Sequence, residues 1–190
     1  RAATGGAPYV LVTVGGGAGD PQFPRRCLAA WARVRRTAAL RGHRLVVLAG
    51  LAWSPRRRAA LARAGGPGVA VQAFVPDVRP WLRGATLVVA HAGYNTAADV
   101  LATRVRAVLA ANPRMSDQPA RAQRLAALGL VDTPDPERRP LDALVQAMRR
   151  ALGRPRLRAA VDLDGAAATR RAIEALAAGV SRRARSSARA

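Results

Sequence analysis

The chain has 190 residues, 32 of them basic and 11 acidic, for a formal net charge of +21. That length allows one domain, with or without a tail, around a substantial core. The composition excludes several classes: no apolar stretch reaches membrane-span length, no secretory signal is read ahead of the fold, the lone Cys27 rules out an intrachain disulfide framework, and no Cys/His cluster has zinc-ligand spacing.

Every basic residue is arginine, and of the acidic residues only Asp20 precedes Asp77. Such a balance points toward nucleic acid or an anionic membrane surface. Arginine in every position where lysine would serve also fits a coding bias toward GC-rich codons. With two Phe and two Tyr, the chain lacks the stacking platforms of single-strand binders. An anionic lipid surface or a phosphate-bearing acceptor therefore ranks ahead of nucleic acid. The expected location is cytoplasmic, with peripheral contact at the inner membrane face. The chain starts at Arg1 rather than Met, and the expectation is a piece of a longer chain.

Residues 1–8 read as a linker. Tyr9 to Val14 is an apolar, β-branched strand that runs into Gly15, Gly16, Gly17, Ala18, Gly19 and Asp20. Glycines at a strand end let backbone N–H groups approach a phosphate, although a plain strand-to-helix turn would use them too. A dinucleotide fingerprint requires glycine where Asp20 stands, and an acid after the second strand, which is missing. A first helix is expected from Pro24 to about Leu40, with Cys27, Trp31, Val34 and Ala38 at core spacing. His43 reads as a surface turn residue, and Arg44 to Leu48 as strand two. Ser54-Pro55 reads as N-cap and first residue of a helix through Ala64. Val69 to Phe74 is strand three, and Val75-Pro76-Asp77 leads into a short helix with Trp81 and Leu82.

Leu87 to Ala90 is strand four, inside L-V-V-A-H-A-G-Y-N-T-A-A-D, which ends at Asp99. Strand, glycine turn and helix start follow one another, with Asn95 and Thr96 as N-cap residue types. The open N–H groups and dipole of such a helix start favour an anion. His91, Asn95 and Thr96 add side-chain donors, and Asp99 stands one turn further on, where it suits a sugar hydroxyl. Strand five is expected at Arg106 to Leu109, and a short sixth at Leu130-Val131. Between them, in the loop leaving strand five, lies S-D-Q-P-A-R-A-Q-R-L-A-A-L-G, from Ser116 to Gly129, where Asp117 is a good N-cap. Arg114 sits in the same loop, and Arg121 and Arg124 read as solvated or interdomain. Leu141 to Leu152 is an amphipathic helix. Gly165 to Ala178 is expected as the last helix of a domain over residues 9–178, ahead of a disordered basic tail over 179–190.

Alternating strands and helices predict an α/β, Rossmann-like parallel sheet of about six strands with helices on both faces. With strand order 3-2-1-4-5-6, the turn at Gly15 to Gly19 and the turn at His91 to Gly93 meet over one crevice at the switch point.

The two motifs in this order and separation resemble the donor-binding C-terminal half of GT-B glycosyltransferases of family 28. The likeness is nearest to the group that includes the bacterial enzyme adding N-acetylglucosamine to lipid I, and it spans about Tyr9 to Leu152. It implies a nucleotide-diphosphate sugar as donor substrate, UDP-linked N-acetylhexosamine first and a dTDP-sugar second, with no cofactor and no metal. By resemblance, Gly15, Gly16, Gly17, His91, Gly93, Asn95 and Thr96 hold the diphosphate. Phe74 and Val75 lie against the base, Asp99 holds the ribose, and Asp117 with Gln118 holds the sugar. The general base belongs to an N-terminal acceptor domain outside these residues, in the same chain or a partner subunit, so the chain by itself is expected to bind donor without turnover. The alternatives are a non-catalytic subunit of a split glycosyltransferase, a nucleotide-sugar epimerase or hydrolase, and, last, a basic nucleic-acid-binding domain.

Overall fold

The computed structural model describes residues 5–15, 20, 22–156 and 161–187, with side chains as far as 178. Five strands, β1 (Tyr9–Thr13), β2 (Arg44–Leu48), β3 (Val69–Gln72), β4 (Leu87–His91) and β5 (Ala107–Ala110), alternate with helices. They form one parallel sheet in the order β3-β2-β1-β4-β5. The helices are α1 (Gln22–Val34), α2 (Pro55–Gly65), α3 (Arg79–Gly84), α4 (Tyr94–Thr103), α5 (Gln118–Ala127), α6 (Pro140–Gly153) and α7 (Gly165–Ser187).

The strands are near-continuous apolar runs because both faces of the sheet are covered. Alternate residues serve opposite cores. Val10, Val12, Leu45, Val47 and Val89 pack with Phe23, Cys27, Trp31 and Val34 of α1 and with Leu144, Ala147 and Met148 of α6. Leu11, Val46, Val88 and Ala90 pack on the other face with Leu82, Ala97, Val100 and Ala122. Cys27 is part of the first core, where burial pushes its thiol pKa well up and leaves it an inert apolar filler.

Among the described residues the sheet has five strands where about six were expected. The chain after α5 touches it through one parallel bridge, Val108 with Asp132, made by Leu109 N to Asp132 O and Asp132 N to Ala107 O, both 2.9 Å. Asp132 is buried and its carboxylate pairs with Arg150 at 3.2 Å and Arg154 at 3.4 Å. That ion pair anchors the segment to the end of α6 and turns it out of the sheet.

Helix α1 stops at Val34, and a 3-10 turn over Ala38–Leu40 replaces its expected last turns. Six residues at 100° each would place Leu40 off the face that Val34 buries. The break, closed by Thr37 Oγ1 on the Val34 carbonyl at 2.8 Å, turns Leu40 into the core and leaves Ala38 exposed. His43 is less of a surface residue than its turn suggested: it is half-buried, with Nε2 2.9 Å from Thr86 Oγ1. Ser54 caps α2 as expected, accepting from Arg57 N at 3.3 Å.

The chain divides into a unit over Arg1–Arg158 and a second over Ala159–Ala190, not at residue 178. In the second unit α7 continues to Ser187, so helix takes in most of the segment expected to be a disordered tail. Arginine and alanine are good helix formers, and extending an existing helix needs no new nucleus.

Arg104 ends α4 in the left-handed region at φ 53, the only non-glycine residue with positive φ among those described. That conformation costs about 1–2 kcal/mol for a residue with a Cβ, and glycine returns about 0.5–1 kcal/mol of it as unfolded-state entropy. Arg104→Gly is therefore expected to raise stability by about 0.5–1 kcal/mol, read as a higher urea midpoint at unchanged slope.

Candidate functional site

The strand order reverses between β1 and β4, and a cleft of about 300 Å³ opens there beyond the carboxyl ends of the strands. Thr13 and Gly15 border it from the end of β1, and Leu48, Gly50 and Leu51 from the end of β2. Phe74 and Val75 follow β3, and Asn95, Thr96 and Asp99 come from the first turns of α4. Six residues singled out from the sequence, Gly15, Phe74, Val75, Asn95, Thr96 and Asp99, thus share one cleft. Gly16 and Gly17 lie outside the described residues.

Helix α4 begins earlier than its residue types suggest. Its N-cap is Gly93, in extended conformation at φ −69 and ψ 156, so Asn95 and Thr96 stand within the first turn instead of capping it. Gly93 has no side chain to cap with, and no acidic residue occupies the first turn. The opening N–H groups are therefore left for an external acceptor, with the helix dipole behind them. Phe74 is 58% exposed and Leu51 69% exposed, an apolar rim on the side of the cleft opposite α4's donors. Gly50 was missed in the sequence. It sits at φ +80, where an added Cβ would meet the Gly15 carbonyl oxygen at 2.9 Å.

His91 does not line the cleft. It extends β4 by one residue and points, like Val89, toward α1, where its ring stacks on Phe23 with centroids 3.9 Å apart. It is 6% exposed, with Nδ1 donating to the Ala110 carbonyl at 3.4 Å and Nε2 buried without a partner among the described residues. The expectation that His91 presents its ring to the diphosphate is corrected accordingly. Strand alternation sends it to the core face, and Phe23, 68 positions away, holds it there. Burial lowers its pKa below the usual 6.5, and the Ala110 carbonyl opposes this only in part. The unfolded chain therefore protonates at His91 before the folded one does, and stability present above pH 6.5 is lost as the pH falls below it. Thermal melts from pH 7.5 down to 5 are expected to show that loss, and His91→Gln to flatten it; an equal slope in the variant would contradict the assignment.

On the other flank of the α4 start stand Asp117 and Gln118. Asp117 occupies the N-cap position of α5, but its carboxylate makes no cap bond. It accepts instead from Arg121 at 2.5 Å, which holds the Asp117 carboxyl below the usual range. Gln118 is 6% exposed; its Oε1 accepts from Asn112 N at 2.9 Å, and its Nε2 faces the Gly93 turn. Asn112 Oδ1 in turn accepts from Arg114 N at 3.0 Å, which closes the loop after β5. Arg121 is the residue that the sequence reading misplaced. Its side chain is 13% exposed, it donates to the Ala92 carbonyl at 2.5 Å, and its guanidinium lies 3.5 Å over the Tyr94 ring. It ties α5 to the β4–α4 turn, while Arg124 on the same helix stays exposed as expected.

A doubly wound parallel sheet with an uncapped helix start at its switch point defines a Rossmann-like domain of the kind that forms the C-terminal half of GT-B proteins. The glycosyltransferase family 28 C-terminal domain matches residues 10–160. The chain belongs to that family. Among solved structures it is similar to the glycotransferase of kitacinnamycin, at 23% identity and a TM-score of 0.60, covering 82% of this chain and 37% of that one. It is similar also to the Acinetobacter baumannii MurG, at 22% identity and 0.58, covering 77% and 45%. A third is the glycosyltransferase VinC in complex with dTDP, at 20% identity and 0.55, covering 78% and 34%. The chain thus spans less than half the length of these proteins. No curated protein matches it.

Proposed function

We propose that this domain holds a nucleotide-diphosphate sugar across the start of α4, for transfer of the sugar to an acceptor hydroxyl. The observation that carries the reading is the convergence of Gly15, Phe74, Val75, Asn95, Thr96 and Asp99 on one cleft beside an uncapped helix start. In this arrangement the base lies against Phe74 and Val75, and Asp99 accepts from the ribose. The diphosphate sits over the first-turn N–H groups, Gly15 to Gly17 and the side chains of Asn95 and Thr96. Gly93 lets it approach closely, and His91 supports the turn from the core side. The sugar falls on the other flank, where the free oxygen of Asp117 accepts and the Gln118 amide donates. Departure of the sugar leaves charge on the diphosphate, and fixed N–H donors stabilise that charge without a metal. The general base comes from an acceptor-binding domain joined to this one in the same chain or a partner subunit. A nucleotide-sugar hydrolase or epimerase would need paired acid and base groups; in this arrangement Asp99 is given to the ribose and Asp117 is paired with Arg121.

The likeness to the lipid I N-acetylglucosaminyltransferase group favours UDP-N-acetylglucosamine; the dTDP bound by VinC makes dTDP-sugars the competing donor. Calorimetric titration with UDP, UDP-N-acetylglucosamine and dTDP separates them. Asn95→Ala is expected to weaken every nucleotide about tenfold, and Asp117→Ala only the sugar-bearing form. The isolated 190 residues are expected to bind donor without turnover. Failure of all three nucleotides to bind would overturn the reading, as robust transfer by this domain alone would overturn the placement of the general base.

A further inference from the structure

We infer that the pocket walled by α1, α5 and the segment leading into α6 binds an aromatic carboxylate. It encloses about 360 Å³ and shares no lining residue with the switch-point cleft. That volume lies within the range of about 300–1,000 Å³ that small-molecule sites occupy. Ala110 and Ala111 close it at the carboxyl end of β5.

Its walls are built largely from proline. Pro113 lies in the loop after β5, Pro119 and Pro140 stand in the first turns of α5 and α6, and Pro134 and Pro136 lie between those helices. Proline at a helix start forfeits no intrahelical bond. In a loop it fixes φ and brings no N–H that must be satisfied. The walls are therefore apolar although loops make them, and they are rigid before a ligand arrives. Phe23 and Leu144 lie beneath, each 3% exposed. The surface that a ligand meets is the proline layer above: Pro113, Pro119, Pro136 and Pro140 are exposed and Pro134 is half-buried. Pyrrolidine rings present C–H groups, which the negative face of an aromatic ring attracts.

Arg26 supplies the polar end. Its side chain lines the pocket and is 35% exposed, one amino group bonds Asp20, and Nε is buried with no partner among the described residues. A buried cationic donor without an acceptor is costly, and a ligand oxygen placed beside it removes that cost. The other charged lining residues, Asp135 and Arg138, bond each other at 3.1 Å. Next to Pro113 and Pro140, Arg114 and Arg139 are exposed and outside the ion pairs of the described residues, against one such acid, Glu137. The local balance is positive, as it is over the whole chain at +21, so the field favours a carboxylate over a neutral oxygen.

The test is calorimetric titration of the 190-residue chain with 2-naphthoate, 2-naphthol and acetate. One equivalent of 2-naphthoate is expected to bind, undisplaced by UDP, and acetate is expected not to bind. The neutral 2-naphthol is expected to bind about tenfold more weakly, the worth of one charge-assisted hydrogen bond. Arg26→Gln is expected to bring 2-naphthoate down to the level of 2-naphthol and to leave 2-naphthol unchanged, a split that a merely structural loss would not produce. Ala111→Leu fills the pocket at unchanged charge and is expected to weaken both aromatic ligands. Arg25→Gln has the same charge change one position away on α1, outside the pocket, and is expected to bind 2-naphthoate as the parent does. Circular dichroism establishes that each variant is folded. No binding of 2-naphthoate, its displacement by UDP, equal losses of both aromatic ligands in Arg26→Gln, or the same loss in Arg25→Gln would each overturn the inference.

Discussion

Gly50→Ala is expected to lower stability by about 2–3 kcal/mol and to abolish nucleotide binding. The residue stands at φ +80, a conformation that costs about 1–2 kcal/mol once a Cβ is present. The remainder comes from contact. An ideal Cβ would lie 2.9 Å from the Gly15 carbonyl oxygen, and the group that must give way is backbone. Gly15 is itself in the left-handed region at φ +78 and borders the cleft with Gly50. Relief therefore moves the β1 end away from the place it takes in the proposed diphosphate site. Gly42→Ala is the control, because it has φ +78 with nothing within 4 Å of the added Cβ. It is expected to lose about 1 kcal/mol by strain alone and to bind UDP normally. Urea denaturation and calorimetry on the two variants separate strain from contact. Normal UDP binding by folded Gly50→Ala would show that the β1 and β2 turns do not form the phosphate site.

Arg121→Ala is expected to weaken a sugar-bearing nucleotide by tenfold or more and free UDP by far less. The side chain joins three parts of the site: the Ala92 carbonyl on the β4–α4 turn, the Asp117 carboxylate, and the ring of Tyr94. Its loss frees Asp117 to swing and uncouples α5 from the turn. The bonds proposed to hold the sugar then lose their alignment with the diphosphate, while Asn95 and Thr96, which Arg121 does not bond, keep their places in the first turn of α4. Arg121→Lys is not expected to restore binding. An ammonium cannot divide between the carbonyl and the carboxylate as the planar guanidinium does, and it stacks less well. Arg124→Ala, on the exposed side of the same helix, is expected to bind both ligands as the parent does. Equal losses for UDP and its sugar would place Arg121 at the phosphates.

Much of the domain was legible because its signals are local. Apolar β-branched runs between glycine turns marked β1, β2 and β4, and their alternation with helical periods marked a parallel sheet with two covered faces. The order of the chain then brought the Gly15 turn and the α4 start to one crevice. Phe74, Val75, Asn95, Thr96 and Asp99 could be picked out before any contact was known. The Arg121–Ala92 clamp left no such trace. Arg121 and Arg124 look alike on a helical wheel, and only the packing of α5 against the β4–α4 turn tells them apart. His91 misled for a related reason. Its place at a strand end beside a glycine suggests a donor facing outward, yet strand alternation and the approach of Phe23 decide the face.

The sequence by itself determined the fold class and the helix start at the switch point, which follow from periodicity, turn residues and helix-start composition over short spans; Phe74 and Val75 were singled out through the family resemblance. The tertiary structure alone decided the five-strand limit, the burial of His91, the close approach of Gly50 to Gly15 and the Arg121–Ala92 clamp. Each of these is a contact between residues distant in the chain, where packing and unlike partners override what either segment prefers alone.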